Sequence, residues 1–299
     1  MNRYIIITPC KNEEKNLPVL VRSLAKQSVT PGLWAILDDG STDRTPEIIQ
    51  DAKNKYKWIE SICLKKGCRD LTIHISEVVN TGLNFAKNFC KYHDLRYDFV
   101  VFLDADMIIE DAKFFEKLIN EFDKDENLGI ASGEIHYIDV SGNLSNAQSR
   151  SDTISGGEMM CRKEYIEEIG GVPISHAWDS VIRVKAILNG WKIKRFNGIN
   201  IIHTRDTGSA EGLKKGYYLK GTSEYYLNMN PFIVFAKGFI YCLKKPYFVL
   251  GFAYLLGYFN SWIRRKEKTT DQEIRKYYYY HKPREIWQYY FNNKFRRND

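Results

Sequence analysis

Two aspartates one residue apart, Asp104 and Asp106, are the residues whose type and spacing most directly suggest chemistry. They follow the apolar run 99–103, whose lack of alternation is typical of a strand buried on both faces. Ligands of open α/β sheets bind at the carboxyl ends of such strands. Two carboxylates this close repel each other unless a cation neutralises them, so the pair suits a divalent metal. The alternative is that one of the two aspartates caps the next helix and the other is merely exposed to solvent.

Polar residues also follow two earlier apolar runs. Residues 3–8 lead into a segment that ends at Glu13, and residues 33–37 lead into Asp38 and Asp39. The carboxyl ends of parallel strands meet along one edge of a sheet, so we expect all three clusters to lie together. Such an edge suits a nucleoside diphosphate, with a metal on the diphosphate and Asp39 accepting an N–H of the base. Loops of this kind are polar in general, which is the alternative explanation.

The segments between these clusters alternate between strand and helix patterns. Helices are predicted from Leu17, after Asp43, from Asn80 to Tyr92 and over 111–122. This alternation predicts βαβ units and a mostly parallel, Rossmann-like sheet. After Gly129 the pattern changes to a strand over 130–140, helices over 158–169 and from His176, and a strand–turn–strand over 192–203. We expect these later elements to form a smaller, acceptor-side sheet.

Bulk composition limits the class of protein. The 299 residues are 44% hydrophobic and 27% charged, which is typical of a globular chain with one large domain or two modest ones. The six cysteines include no CxxC pair, and the first residues lack the pattern of a signal peptide. We therefore expect reduced cysteines in a cytoplasmic protein. The sequence also lacks a GxGxxG after the first strand, a GxxxxGK[ST] loop and a GxSxG elbow.

The basic charge is concentrated at the end of the chain. Residues 231–299 carry 14 Lys and Arg against 5 Asp and Glu, whereas the whole chain has a net charge of +7. Two apolar segments, 231–243 and 246–263, are separated by Lys244 and Lys245 and followed by basic residues. The second segment has 18 residues without a charge, which is the lower limit for a membrane span. The polar and aromatic residues within it favour an interfacial hairpin. A buried helical pair is the alternative.

We therefore predict that residues 231–299 contact a membrane surface. The Tyr-rich segment 277–280 fits the headgroup level of a bilayer, although aromatic residues among basic ones also stack on nucleic bases. The prediction is a cytoplasmic protein, peripheral on the inner face of the cell membrane, with no nucleic-acid partner.

Four motifs in order resemble those of the family-2 glycosyltransferases, which have the GT-A fold. They are Thr8-Pro9-Cys10-Lys11-Asn12-Glu13-Glu14, Asp38-Asp39-Gly40-Ser41-Thr42-Asp43-Arg44-Thr45, Asn80-Thr81-Gly82 with Ala86-Lys87-Asn88, and Asp104-Ala105-Asp106. The resemblance covers about residues 3–205. It implies a GT-A domain over 1–228, divided into a nucleotide-sugar half (1–128) and an acceptor half (129–228), with a helical extension over 229–299.

The resemblance also implies roles for individual residues. Those lining the nucleotide would be Thr8, Pro9, Asn12, Glu13 and Asp39, with Lys87 approaching the diphosphate. Asp106 would ligate Mn²⁺ or Mg²⁺, Asp104 would lie nearer the sugar or ribose, and His203 matches a further metal ligand of some GT-A enzymes. A structural role is the alternative for His203. Arg205 would meet a phosphate or form a surface ion pair.

The candidate for the catalytic base is Asp179. The family usually has a Glu-Asp pair at the start of a later helix, whose second acid is the base of inverting members. This sequence has Trp178-Asp179 there, so the first acid is missing. Asp179 also occupies a position that suits a helix cap. The segment Gly156-Gly157-Glu158 either shapes the acceptor pocket or begins a helix.

These features predict a metal-dependent inverting glycosyltransferase. It would move a hexose from a UDP- or GDP-linked donor to a hydroxyl or phosphate of a polyprenyl-linked or glycan acceptor. One rival is a sugar nucleotidyltransferase, although residues 9–14 lack the glycines of its phosphate loop. The others are a non-catalytic nucleotide-sugar-binding homologue and a nucleic-acid binder acting through the basic tail.

Overall fold

The structure, a computed structural model, describes residues 3–64, 73–138, 144–146, 154–204 and 212–295. The chain forms two compact units. The first contains Met1–Ile174 and Trp178–Asp206, and the second contains Ser175–Ala177 and Thr207–Asp299. The functional division after residue 228 remains a prediction.

The first unit is built on a single sheet. Its strands are β1 (Tyr4–Cys10), β2 (Leu33–Asp38), β3 (Ile59–Cys63), β4 (Phe99–Leu103), β5 (Met107–Ile108), β6 (Leu128–Ile138), β7 (Leu144–Asn146), β8 (Glu158–Arg162) and β9 (Lys192–His203). Their order is β3-β2-β1-β4-β8-β6-β9-β5, with β7 paired to β6. Its helices are α1 (Leu17–Ala25), α2 (Thr45–Lys55), α3 (Ile73–Tyr92), α4 (Phe114–Lys124), α5 (Lys163–Glu168) and α6 (Trp178–Leu188).

Four parallel strands confirm the predicted βαβ organisation. β1 pairs in parallel with β2 and with β4, and β2 pairs in parallel with β3. β2 and β4 are buried along their whole length, as expected for apolar runs without alternation. The carboxyl ends of β1, β2 and β4 therefore lie at one edge of the sheet, where the three polar clusters begin.

The prediction of a helix over 158–169 was wrong. Glu158–Arg162 is a strand, β8, which lies antiparallel between β4 and β6, and only Lys163–Glu168 is helical. The apolar residues 159–161 are too few to show a helical period, and their burial between two strands decides their conformation. Through β8, the acceptor-side strands join the first sheet and do not form a separate smaller one.

The predicted strand–turn–strand over 192–203 is a single strand, β9, with an irregularity where the turn was expected. Its pairing with β6 is interrupted between the partners Phe196–Gly133 and Asn200–Glu134. The additional residues include Gly198, whose φ of 80° lies in the left-handed region that glycine adopts without strain. The strand then continues to His203 at the edge of the sheet that carries the acidic residues.

Helix α3 begins seven residues earlier than predicted, at Ile73 instead of Asn80. The predicted start relied on Asn80 and Gly82 as helix-opening signals. Gly82 instead lies inside the helix, where a Cβ would approach Leu37 Cδ1 to 2.5 Å. The glycine therefore lets α3 pack closely on the sheet, and the additional first turn carries His74.

The second unit is helical in its described part. Its elements are α7 (Leu213–Tyr226), α8 (Pro231–Cys242), α9 (Val249–Ile263), α10 (Gln272–Lys276), a π-helical turn (Tyr277–His281) and α11 (Lys282–Phe295). The two predicted apolar segments are thus helices α8 and α9. Buried Glu224 of α7 links them, because its carboxylate accepts hydrogen bonds from Lys237 of α8 and Tyr254 of α9. None of the described helices has both the length and the apolar character required to cross a membrane.

Thr8 provides a test of how the first strands are held together. Its side chain is completely buried, and its hydroxyl accepts a hydrogen bond from the indole Nε1 of Trp34 at 2.8 Å. Thr8→Val keeps the shape but leaves that N–H unsatisfied, so we expect it to reduce the free energy of unfolding by about 1–3 kcal/mol. Urea unfolding measures this loss, and Thr8→Ser, which keeps the hydroxyl, should restore most of it. A fully stable Thr8→Val protein would contradict this structural role.

Candidate active site

Three potential metal ligands lie together at the carboxyl end of β4. The ligand atoms of Asp104, Asp106 and His203 all lie within 4.8 Å of one another. Asp106 and His203 are buried, and His203 Nε2 lies 3.0 Å from Asp106 Oδ2. The structure therefore brings the two predicted aspartates and the predicted histidine into one cluster.

The sheet itself produces this arrangement. The chain turns after Asp104 and re-enters as the short strand β5, which pairs antiparallel with the end of β9 so that Met107 lies opposite His203. The amide N–H of Thr204 also donates to the carbonyl oxygen of Asp106 at 3.1 Å. Backbone pairing thus fixes His203 beside the aspartates, although 97 residues separate it from Asp106 in the sequence.

The protonation of His203 reflects these neighbours. Burial opposes a charged imidazole, but the hydrogen bond to Asp106 and the charges of Asp106 and Asp104 outweigh it and raise the pKa of His203. Among the described residues, its buried Nδ1 has no hydrogen-bond partner. A proton on His203 therefore compensates part of the carboxylate charge in the metal-free protein.

The donor set fits a divalent cation. Two ligands of one ion lie no more than about 5 Å apart, twice a typical ligand distance, and the three atoms here meet that limit. Carboxylate oxygens suit Mg²⁺ and Mn²⁺, and an imidazole nitrogen also suits transition metals. Asp106 and His203 would hold the ion together with Asp104.

A glycine turn connects this cluster to Asp179. A Cβ on Gly157 would lie 2.1 Å from Asp104 Oδ2, and a Cβ on Gly156 would lie 3.1 Å from Asp179 Cβ. The Asp104 carboxylate and the Cβ of Asp179 therefore lie against neighbouring glycines of one turn, and a side chain on Gly157 would displace Asp104. Asp179 is partly buried in the first turn of α6, where its Oδ1 accepts from the amide of Ser180 at 2.7 Å.

The loop after β1 is bound to the loop after β2. Asn12 has a positive φ of 57°. Its side-chain Oδ1 accepts a hydrogen bond from the backbone N–H of Thr42 at 2.8 Å, and its backbone N–H donates to Ser41 Oγ at 2.9 Å. Glu13 is buried, and its carboxylate accepts from Asn16 Nδ2 at 2.7 Å. These contacts fix the two loops expected to line the nucleotide.

Asp39 lies between two basic side chains. His74 Nε2 is 2.9 Å from its Oδ1, and Lys11 Nζ is 3.5 Å from its Oδ2. The hydrogen bond to Asp39 is the main cause of the raised pKa of His74. No pattern in the sequence indicated a role for His74, because the helix that carries it was expected to begin at Asn80, six residues after His74.

The remaining predicted nucleotide residues lie in different environments. Thr8 is buried and bonded to Trp34, and Pro9 is partly exposed near the end of β1. Lys87 is partly buried on α3, about 20 Å along the helix axis from His74. Arg205 lies outside the described residues. The contact of Lys87 with the diphosphate remains a prediction.

A buried ion pair beside the glycine turn was missed by the sequence analysis. Arg195 donates to Glu158 at 2.5 Å, and both side chains are almost completely buried. Burial raises the pKa of Glu158 to about 7, and Arg195 opposes that rise. Glu158 is the first residue of β8, so the wrong helix prediction concealed its position. The pair links β8 to β9 across β6, and Glu158 directly follows the Gly156-Gly157 turn.

Comparisons with known proteins agree with this fold. The chain is 26% identical to the poly-beta-1,6-N-acetyl-D-glucosamine synthase of Staphylococcus epidermidis over 211 residues, which are 63% of this chain and 45% of that protein. It is also 26% identical to the 4,4'-diaponeurosporenoate glycosyltransferase of Staphylococcus haemolyticus over 136 residues, 44% of this chain and 32% of that one. The chain thus spans less than half the length of these relatives.

Two solved structures are similar in fold. The mannosyltransferase PcManGT from Pyrobaculum calidifontis, in complex with GDP-Man and Mn²⁺, matches with a TM-score of 0.56 and 17% identity over 85% of this chain and 69% of that chain. Residues 1–349 of S. aureus TarS, in complex with UDP-GlcNAc, match with a TM-score of 0.55 and 17% identity over 86% and 72%. The fold is therefore the α/β GT-A fold.

The family follows from the sequence. The model of "Glycosyl transferase family 2" matches residues 5–191, which include the three loops at the carboxyl edge of the sheet and Asp179. Because the match covers more than half of the 299 residues, the chain belongs to glycosyltransferase family 2.

Proposed function

We propose that this protein is a metal-dependent inverting glycosyltransferase that takes a hexose from a nucleoside-diphosphate sugar. The observation that carries the proposal is the cluster of Asp104, Asp106 and His203, which the Gly156-Gly157 turn connects to Asp179. In this arrangement, a metal-binding cluster and an acidic residue contact adjacent glycines of one turn. A metal-dependent inverting transfer uses both groups at the same sugar.

Asp179 serves as the general base in this proposal. An acceptor hydroxyl is a weak nucleophile until a carboxylate takes its proton during the attack. The acceptor oxygen then displaces the nucleoside diphosphate from the anomeric carbon in one step, which inverts that carbon. A divalent ion, Mn²⁺ or Mg²⁺, supplies Lewis-acid stabilisation of the leaving diphosphate. Asp106 and His203 would hold that ion together with Asp104, which would also orient the sugar or ribose.

The donor class is supported by the relatives. PcManGT was solved with GDP-Man and Mn²⁺, and TarS with UDP-GlcNAc, so both bind hexoses linked to a nucleoside diphosphate. In this chain, Asn12, Glu13 and Asp39 lie at the edge of the sheet that holds the metal cluster. We propose that these residues, with Pro9 and Lys87, contact the nucleotide, whereas Thr8, whose side chain is completely buried, supports them through its hydrogen bond from Trp34.

We further propose a lipid-linked acceptor, of the polyprenyl or glycan type, reached from a membrane surface. The support is the outer surface of α8 and α9, where many large apolar side chains are exposed, including Phe232 at 84% and Phe239 at 69%. Lys244, Lys245 and Arg264–Lys266 follow these helices, and basic residues flanking an apolar surface suit an anionic bilayer. The protein would then be peripheral on the cytoplasmic face of the cell membrane.

A cavity in the second unit supports the same acceptor. It has a volume of about 480 Å³ and lies between α7 and α9. Its lining includes the apolar residues Leu213, Ala253 and Leu256, with Lys214 and Lys215 on the α7 side. An apolar groove beside two lysines suits a lipid chain that ends in a phosphate.

Replacing Asp179 tests the proposed enzyme. We expect Asp179→Asn to lower kcat for sugar transfer about 10²- to 10⁴-fold, because the amide does not accept the acceptor proton. Its affinity for the donor should change less than threefold, and Asp51→Asn on the exposed surface of α2 should behave like the wild type. Assays use a panel of nucleotide sugars with Mn²⁺ and a polyprenyl phosphate. Full turnover in Asp179→Asn would exclude its role as base.

The pH dependence of metal binding tests the cluster. The raised pKa of His203 means that the metal-free protein holds a proton there, and Mn²⁺ must displace it. Mn²⁺ affinity should therefore rise as the pH rises through that pKa, by up to about tenfold per pH unit below it. Calorimetry between pH 5.5 and 8 measures the slope. His203→Gln should bind Mn²⁺ weakly with a flatter pH dependence, whereas His93→Gln, at an exposed position in the turn after α3, should match the wild type. Equal slopes in all three proteins would contradict this account.

Vesicle sedimentation tests the membrane surface. Burying a phenylalanine is worth about 1.5–3 kcal/mol, so Phe232→Ser with Phe239→Ser should weaken binding to vesicles containing anionic lipid at least tenfold. Tyr92→Ser, at a side chain that is 86% exposed in the first unit, is the matched control and should leave binding unchanged. Wild-type protein that ignores such vesicles, or a double variant that binds equally well, would rule out this surface.

A further inference from the structure

We infer that Glu158 is a positioning residue for the glycine turn at 156–157. By holding that turn, Glu158 places the Asp104 carboxylate and the Asp179 side chain relative to each other. The inference rests on the proposed function, because it concerns the site at which the sugar is transferred. It deepens that function by naming a residue that acts through the turn and not on the substrate.

One carboxylate oxygen of Glu158 closes the turn. Glu158 Oε1 accepts hydrogen bonds from the backbone N–H of Ser155 at 3.1 Å and from Ser155 Oγ at 3.3 Å. The backbone N–H of Glu158 donates in return to the carbonyl oxygen of Ser155 at 3.3 Å. These bonds fix both ends of a segment whose two central residues are glycines, which have more backbone freedom than any other residue.

The same oxygen anchors the turn to β9. Arg195 Nη2 donates to Glu158 Oε1 at 2.5 Å, and the two residues are 7% and 3% exposed. Burial raises the pKa of Glu158 to about 7, whereas the nearby positive charges of Arg195 and His203 oppose the rise. Arg195 and His203 both belong to β9, so Glu158 connects the turn to the strand that carries a candidate metal ligand.

Each glycine of the turn lies against one of the two acids. The carbonyl oxygen of Gly157 accepts from the backbone N–H of Asp104 at 3.0 Å, and a Cβ on Gly157 would lie 2.1 Å from Asp104 Oδ2. A Cβ on Gly156 would lie 3.1 Å from the Cβ of Asp179. A shift of the turn therefore displaces one or both acids, and a misplacement of about 1 Å costs about a hundredfold in rate.

The metal site depends less on this turn. Asp106 and His203 are held by the antiparallel pairing of β5 with β9, in which Met107 lies opposite His203. Positioning by Glu158 thus affects the transfer step more than the affinity for the metal or for the donor.

Stability alone does not explain the buried pair. Replacing a buried ion pair with apolar residues of similar volume often leaves stability unchanged or raises it. Oε2 of Glu158 is buried, and among the described residues it has no hydrogen-bond partner, which is a further cost. Apolar side chains would fill the same space but would not supply an acceptor for the Ser155 N–H and hydroxyl. That acceptor is what the turn requires of Glu158.

Two variants separate the acceptor from the charge. Glu158→Gln keeps an oxygen that accepts from Ser155 but removes the charge opposite the buried Arg195, so it should unfold at a lower urea concentration. Glu158→Leu combined with Arg195→Met removes the acceptor together with both charges, so its urea midpoint should stay near that of the wild type. Ile59→Ala, at a residue that is 1% exposed at the start of β3, is the control for a loss of stability alone.

Activity should follow the acceptor and not the stability. With a panel of nucleotide sugars, Mn²⁺ and a polyprenyl phosphate, Glu158→Gln and Ile59→Ala should keep most of the wild-type kcat. The double variant should lose about a hundredfold in kcat, because its turn is no longer held. Its affinities for Mn²⁺ and for the donor should change far less.

Hydrogen exchange in the metal-free protein gives a readout that does not require activity. The amide protons of Ser155 and Glu158 donate within the turn, so they should exchange faster in the double variant and at the wild-type rate in Glu158→Gln. Ser155→Ala removes the hydroxyl bond without changing the buried pair, so it should speed exchange and lower kcat to a smaller extent.

The outcomes separate this inference from the proposed function. A double variant with wild-type kcat and wild-type exchange, or a Glu158→Gln protein as slow as the double variant, would overturn the inference alone. A wild type that transfers no sugar, with fast exchange confined to the double variant and Ser155→Ala, would overturn the proposed function and leave the positioning of the turn intact. If the double variant does not fold, unchanged kcat and exchange in Ser155→Ala would overturn the inference, and faster exchange with a lower kcat would support it.

Discussion

The repulsion between carboxylates gathered at one edge of a sheet is the constraint on which the site depends. A carboxylate oxygen of Asp104 and one of Asp106 lie within 4.8 Å of each other, and the Cβ of Asp179 lies against the glycine turn that also contacts Asp104. Such a group is stable only with compensating positive charge, which a proton on His203 partly supplies and a divalent ion supplies more fully.

The same principle holds at Asp39, where Lys11 and His74 neutralise a buried carboxylate. Both clusters are therefore prepared for ligands that bring a cation or a hydrogen-bond donor.

The core of the first unit and the outline of its site follow from local sequence. Strands buried on both faces appear in the sequence as unbroken apolar runs. In a parallel sheet, polar residues directly after such strands lie at the carboxyl edge. For this reason β1, β2 and β4 were predictable, as was the position of Asp39, Asp104 and Asp106 at one edge. The helices α8 and α9 were equally predictable, since their two apolar segments are separated only by Lys244 and Lys245.

The features that escaped prediction depend on contacts between distant parts of the chain. Residues 158–162 form a strand because they are buried between β4 and β6. A pattern of only five residues does not indicate that burial. The pairing of Glu158 with Arg195 remained hidden for the same reason. His74 contacts Asp39 only because α3 begins at Ile73, several residues before Gly82, which resembles a helix start in the sequence. In each case, the missing information was the tertiary partner.

The central claim is that the Asp104–Asp106–His203 cluster holds a divalent ion that engages the diphosphate of the donor. The most direct measurement is the affinity for UDP with and without Mn²⁺, together with the affinity for Mn²⁺ with and without UDP. Coupling between two ligands is reciprocal, so each should tighten the binding of the other by the same factor, at least tenfold, and Asp106→Asn should abolish the coupling. UDP binding that is unaffected by Mn²⁺ in the wild type would contradict the account.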